Sequence, residues 1–370
     1  MLMDIFKQIT ECREPALKSA APRPEQWGDG LVVRAPNWLG DAVMALPAML
    51  QMRKALPKYC GLFAVVPKPL DSLFAMLPFV DLTIPLSRAH SPWTMREIAS
   101  VRSLRAGAGV LLNNSFRDTF YFKMAGVPRL YGASARFRSW MLKGSFKFPP
   151  RKDKELNLFH HTSRYLAIAR AIGAPEWDGT FPEFRMPEPE TVSRAVLEVL
   201  ERGAVMSMAP GAAYGGAKKW GVLNFRAAAA WWIENGGTVI TVGSGKESAD
   251  SEEILRGLDP KRAVNFAGKT SLSELALILK SSRICVSNDS GAMHLAAALG
   301  TPGVAVFGST DATSTGPVSP NWTVLYNKQP CSPCFKRECP LPGPENMRCM
   351  RAIAPDELIS ALKELTAGPR

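Results

Sequence analysis

A chain of 370 residues is long enough to bury two cores of ordinary size, and 46% apolar with 21% charged residues is a globular composition. The formal charge of +12 predicts attraction to something anionic, for which nucleic acid, phosphorylated lipid and sugar nucleotide all qualify. No DNA- or RNA-binding signature is present, no apolar run reaches the roughly 18–20 residues of a membrane span, and the N-terminus lacks the pattern of a secretory signal, so no nucleic-acid partner and a cytoplasmic location are expected.

The opening MDIFKQITECREPALKSA has the spacing of one amphipathic helix, expected to pack on the first domain. GLVVRAPNWLGDAVMALPAMLQMRKALP predicts a strand over 31–35, a turn containing Asn37 and Gly40, and a helix over about 41–56. CGLFAVVPKP and AGAGVLLNNSF predict further strands with a helix in REIASVRSLR between them, and such alternation makes βαβ units with a parallel sheet. A Pro-rich, charged stretch over 149–155 precedes the helix HHTSRYLAIARAIG, whose His160 and His161 read as linker or helix-surface residues. FPEFRMPEPE then sets the interdomain linker at about 181–190.

The second half repeats the scheme. AVMSMAPGAAYGGAKKW is a strand with a Gly-rich loop, RAAAAWWIENGG a helix with a glycine cap, and TVITVGSGKE a strand opening into another Gly-rich loop. SLSELALILKSS, RICVSND, GAMHLAAALG and GVAVFGS continue as helix, strand, helix and strand. Two consecutive open α/β domains follow, with a ligand expected at the carboxyl ends of the strands.

Chemistry concentrates at those ends. Asp289, Ser290 and Gly291 lie where a strand meets a helix, and the unpaired N–H groups of a helix start suit a phosphate or diphosphate. Asp289 would repel a diphosphate, so it is assigned to a sugar hydroxyl or to the helix cap; a capped core helix without ligand is the competing reading. Lys218 and Lys219 supply cations that suit a leaving diphosphate, or else a solvated loop. Gly243 and Ser244 open a loop able to cradle a nucleotide. Asp41 follows a strand and turn, where a carboxylate can accept the proton of an attacking hydroxyl or simply cap its helix.

Together these stretches resemble the ADP-heptose:lipopolysaccharide heptosyltransferases of glycosyltransferase family nine, most closely the heptosyltransferase II branch. RAPNWLGDAVMALPAM, PGAAYGGAKKW and VSNDSGAMHLAAALGTPGVAVFGSTDATSTGP carry the similarity, over residues 31–317. The resemblance implies a GT-B fold, two Rossmann-like domains facing across a cleft. It implies an acceptor-binding domain over 31–182 and a donor-binding domain over 183–350; the extension over 1–30 is not explained by the family motif, and the C-terminal helix over 351–370 is read from the residues. By the same resemblance Asp41 is the general base, while Lys218, Asp289, Ser290, Gly291 and His294 bind the donor, with Gly243 and Ser244 added as donor-binding candidates from their Gly-rich loop. Asn114 and Ser115 match a segment near the cleft, with Arg117, Arg136 and Arg138 as candidates for an anionic acceptor. The implied activity is inverting, metal-independent transfer of heptose from ADP-L-glycero-D-manno-heptose to the lipopolysaccharide inner core, at the inner face of the inner membrane by peripheral association. A family-nine enzyme for another nucleotide sugar or acceptor, and a sugar-nucleotide-binding protein without turnover, are the alternatives.

Cys331, Cys334, Cys339 and Cys349 crowd into CSPCFKRECPLPGPENMRCM, the Cys-rich tail over 331–350. Structural zinc, an iron–sulfur cluster or free thiols all fit that spacing, and the resemblance implies that no cofactor is required for catalysis. Trp231 and Trp232 are expected in core or interdomain packing, and APDELISALKEL as a terminal helix of the kind that in GT-B enzymes often crosses back to the first domain.

Overall fold

The computed structural model describes residues 17–88, 91–148 and 160–367, and the chain divides between Arg185 and Met186 into two compact units. The helix expected at the start lies outside the described residues as far as 16, as does the stretch over 149–155.

In the N-terminal unit the strands are β1 (Gly30–Arg34), β2 (Gly61–Pro67), β3 (Leu82–Leu86), β4 (Ala108–Leu111), β5 (Arg129–Ala133) and β6 (Gly144–Phe146). The helices are α1 (Leu39–Ala55), α2 (Asp71–Ala75), α3 (Met95–Ser103), α4 (Phe116–Met124) and α5 (His161–Ala171). All strands pair in parallel, in the order β3-β2-β1-β4-β5-β6. β1 is buried at every position because a parallel sheet is covered on both faces, which is why GLVVR shows no polar alternation. α1 packs along α5, so Ala42 to Met49 are buried without a break. Its acid lies in the first turn at Asp41 and its bases in the last at Arg53 and Lys54, matching the helix dipole. α3 starts at a capping box in which Thr94 and Glu97 exchange bonds. Burial alone would push the Glu97 carboxyl up, but hydrogen bonds from Ser87 and Thr94 outweigh it and hold the group below the ordinary range.

The C-terminal unit repeats the topology with β7 (Val205–Ala209), β8 (Thr238–Thr241), β9 (Ala263–Asn265), β10 (Ile284–Asn288), β11 (Gly303–Phe307) and β12 (Trp322–Tyr326), in the order β12-β11-β10-β7-β8-β9. Its helices are α6 (Arg194–Leu200), α7 (Val222–Glu234), α8 (Ser248–Leu255), α9 (Leu272–Ser281), α10 (Gly291–Ala298), α11 (Ala312–Thr315), α12 (Arg348–Arg351) and α13 (Pro355–Ala367). Each sheet therefore begins in its middle and winds outward both ways, leaving a crevice where the crossovers diverge.

The terminal helix packs within the C-terminal unit. Leu358, Ala361 and Leu362, an i, i+3, i+4 stripe, are buried in the core of the C-terminal unit with Met206, Phe225 and Trp232. Lys363 Nζ lies 5.8 Å over the Trp231 ring, and Trp220 Nε1 donates to the Ile353 carbonyl at 2.9 Å.

Inside β10, Cys285 is wholly buried and burial pushes its thiol up to about 12. A disulfide reagent at neutral pH should leave Cys285 untouched in the native protein and label it in urea; native labelling as fast as that of the partly exposed Cys334 would show that β10 opens.

Candidate functional site

In the C-terminal unit the crevice lies between the carboxyl ends of β7 and β10, and a buried amide defines it. Asn288, the last residue of β10, donates through Nδ2 to the Pro210 carbonyl at 2.6 Å, and its Oδ1 accepts the Trp220 N–H at 3.0 Å. The loop after β7 is thus pinned at both ends to the next strand. Within it Lys218 Nζ donates to Asp289 Oδ2 at 2.6 Å, and Thr310 Oγ1, following β11, donates to the same oxygen at 2.7 Å. Asp289 is 5% exposed and Lys218 14%, so the Lys218 ammonium meets a buried carboxylate that two donors hold still.

This separates roles that the sequence left joined. Asp289 does not cap α10; Ser290 does, its Oγ accepting the Met293 N–H at 3.4 Å. The N–H groups of Gly291 and Ala292 begin the helix beside the Lys218–Asp289 pair. His294 is buried in the first turn of α10. Lys219 turns away to pair with Asp250 at 2.6 Å, on α8. Gly243 and Ser244 follow β8, and there the structure adds Glu247, whose Oε2 accepts the Ser244 N–H at 2.6 Å. A Cβ on Gly211 would stand 1.8 Å from Glu247 Oε1, and one on Gly243 2.6 Å from Oε2, so both glycines make room for that carboxylate. The S-x-x-E capping spacing in SGKE was the available signal for Glu247. Thr310 lies inside the quoted motif but has no spacing cue of its own.

The Cys-rich tail braces these loops. Phe335 N–H donates to the Ser309 carbonyl at 2.8 Å, Ala217 N–H to the Arg337 carbonyl at 2.9 Å, and Tyr214 OH to the Phe335 carbonyl at 2.9 Å. Lys218 Nζ and the Arg337 guanidinium lie 5.3 and 5.4 Å from the centre of the Tyr214 ring. Among the described residues no three His, Cys, Asp or Glu are arranged to hold a metal. Cys349 is drawn into the hydrophobic core with Met350, while Cys339 Sγ accepts the Met347 N–H at 3.2 Å. Burial, with the nearby Cys331, Cys334 and Cys339 adding to it, pushes the Cys349 thiol up.

In the N-terminal unit the carboxyl end of β1 is organised by Arg34, which is fully buried. Its Nε donates to Asp118 Oδ2 at 2.8 Å and its Nη2 to Asn37 Oδ1 at 2.6 Å, while Asn113 Nδ2 donates to Asp118 Oδ2 at 2.6 Å. Burial pushes the Arg34 guanidinium down and Asp118 opposes this. Asp41, the third residue of α1, makes no capping bond. Its Oδ1 instead lies 3.2 Å from Nδ1 of His161, and because a carboxylate only accepts, the proton of that bond sits on Nδ1. His161 is thus a helix residue, partly exposed as expected, that also meets Asp41, and no spacing could join it to a residue 120 positions earlier. One turn on, Tyr165 is pushed well above the ordinary range by burial and by the Asp41 charge.

Ser115 caps α4, its Oγ accepting the Asp118 N–H at 3.1 Å, and Asn114 Oδ1 lies 3.5 Å from Arg138 Nη2. Arg138 faces inward, wholly buried, with bonds to the Ala133 and Ser115 carbonyls, and burial pushes it down to about 10. Arg117 is half-buried, 3.8 Å from Asp118, and Arg136 is exposed.

Residues 97–344 match the family model for glycosyltransferase family 9 (heptosyltransferase). Lipooligosaccharide heptosyltransferase 2 of Haemophilus ducreyi is 28% identical over 315 residues, 80% of this chain and 88% of that protein. Lipopolysaccharide heptosyltransferase 2 of Escherichia coli is 27% identical over 303 residues, 78% of this chain and 85% of that one. Among solved structures, ADP-heptose lps heptosyltransferase II of E. coli superposes with a TM-score of 0.71 at 23% identity, covering 91% of this chain and 98% of that chain. The fold it shares is the expected GT-B fold.

Replacing Asn288 with Ala strands the Pro210 carbonyl and the Trp220 N–H in a buried place. The expected loss in urea unfolding is about 1–3 kcal/mol, and an unchanged midpoint would mean that the loop is held by other contacts.

Proposed function

The chain belongs to glycosyltransferase family 9, and from that premise we propose that it moves heptose from ADP-L-glycero-D-manno-heptose to the lipopolysaccharide inner core, as a transferase of the heptosyltransferase II type. The observation that carries this reading is the Lys218–Asp289 pair at the carboxyl ends of β7 and β10. A diphosphate brought there meets the Lys218 ammonium and the N–H groups opening α10, while Asp289 keeps that ammonium aimed. Glu247 and Thr310 offer oxygen partners for sugar hydroxyls. The heptosyltransferase 2 relatives, similar over about four-fifths of the chain, favour heptose as the sugar.

The reaction is one inverting displacement. An acceptor hydroxyl attacks the anomeric carbon, its proton passes to Asp41, and the bond from that carbon to the diphosphate oxygen breaks with ADP taking the electron pair. Lys218 and the helix start neutralise the departing charge, so no metal ion is assigned a part. His161 positions Asp41 by occupying Oδ1 and leaving Oδ2 for the acceptor. Asn114, Ser115, Arg117 and Arg136 bind the acceptor in this reading, and Arg138 serves by anchoring the loop between β5 and β6. Gly243, Ser244, Ser290, Gly291 and His294 complete the donor side. The enzyme works in the cytoplasm in peripheral association with the inner membrane, drawn by its charge of +12.

ADP release from ADP-heptose on acceptors carrying no heptose or one tests the assignment, with turnover expected only on the mono-heptosylated acceptor. No product on either would remove heptose as the sugar. Asp41→Asn should lower kcat about 10²–10⁴-fold and Lys218→Ala about 10²–10³-fold. His161→Phe should lower kcat about tenfold or more with donor KM and Tm unchanged, His161→Asn should recover much of it, and in the Asp41→Asn background His161→Phe should change nothing. A parent rate in Asp41→Asn would refute the base.

A further inference from the structure

Away from the polar centres, the N-terminal unit carries a surface that neither the donor site nor the base uses. On α4, Phe116, Phe120 and Met124 are spaced four residues apart, so they line one face, and all three are exposed. α4 touches the short helical turn Ser139–Met141, which presents Trp140 at 77% exposure. Beside it Phe137 is 95% exposed.

The backbone is strained to achieve this. Arg136 and Phe137 both have left-handed conformations, with φ of 49° and 58°, which side chains other than glycine rarely adopt and which persist only where the surroundings impose them. Beside them the buried guanidinium of Arg138 donates to the Ala133 and Ser115 carbonyls and anchors the turn.

The segment that builds this surface carries charge of one sign. Residues 119–148 contain Lys123, Arg129, Arg136, Arg138, Lys143 and Lys147 and no Asp or Glu, and Lys123, Arg136, Lys143 and Lys147 are exposed. Aromatic rings amid lysine and arginine suit the headgroup level of an anionic bilayer, where the rings enter the interface and the cations meet lipid phosphates.

We infer that the face formed by α4 and the turn around Phe137 and Trp140 docks on an anionic lipid bilayer. The inference rests on the peripheral membrane association proposed above and names the surface responsible. It also ties docking to the acceptor side, because Ser115, the cap of α4, adjoins the apolar stripe.

The test is flotation of the full chain with phosphatidylethanolamine vesicles made with and without phosphatidylglycerol. The parent should bind only the anionic vesicles, and a Phe137→Ser/Trp140→Ser double variant should bind them about tenfold or more weakly, with unchanged Tm and unchanged transfer onto a water-soluble acceptor fragment. A double variant that floats like the parent would overturn this surface and leave membrane association standing. A parent that binds no vesicle would overturn the membrane reading itself, whereas transfer onto the soluble fragment would still report the sugar assignment. Should the double variant instead convert a dimer to a monomer without changing flotation, the face is a contact between copies and the lipid inference is wrong.

Discussion

The crevice of the C-terminal unit depends on one side-chain amide. Asn288 ends a strand with no exposed surface, where an unmet donor or acceptor would be costly, and it satisfies both by taking the Pro210 carbonyl and the Trp220 N–H. Those two residues bound the loop that carries Lys218. The loop is held on the crevice side of the sheet, and Lys218 meets Asp289, the residue that follows Asn288. Strand pairing supplies the rest: β10 beside β7 and β11 beside β10 bring Lys218, Asp289 and Thr310 together from distant sequence.

The N-terminal unit solves the corresponding problem with a buried ion pair. Desolvating Arg34 and Asp118 costs several kcal/mol per ion, and the attraction at 2.8 Å is supplemented by Asn37 and Asn113. That network fixes the turn between β1 and α1 as well as the start of α4. Asp41 is thereby left at the first turn of α1, and α5, packed along α1, delivers His161 to it. The two carboxylates consequently differ in character: Asp289 is buried beneath a lysine, whereas Asp41 is half-exposed with one oxygen engaged. The first suits holding a cation in place and the second suits receiving a proton.

The tail shows how one segment can look like a metal site and act as a brace. Its cysteines have metal-like spacing, but its backbone and aromatic groups go to the loops bearing Tyr214, Ala217 and Ser309. Cys349 and Met350 join the buried cluster that holds Met206 and Trp220, which ties the tail to the core of the C-terminal unit.

Sequence by itself determined the elements whose physics is local. The buried strands VMSMA and ICVSN, the glycine-ended helix near Asn235, and the position of Asp289, Ser290 and Gly291 at a strand-to-helix junction were all legible, because burial, capping and turn chemistry act over a few residues. The edge strands β3, β6, β9 and β12 were not anticipated, since short strands gain their stability from a neighbour's hydrogen bonds more than from their own pattern. Only tertiary structure decided which charged groups pair: Lys218 with Asp289 and Lys219 with Asp250, Arg138 inward and Arg136 outward, His161 with Asp41. Those choices turn on strand order and helix packing, which bring together residues as much as 120 positions apart and leave no mark on the spacing of either partner.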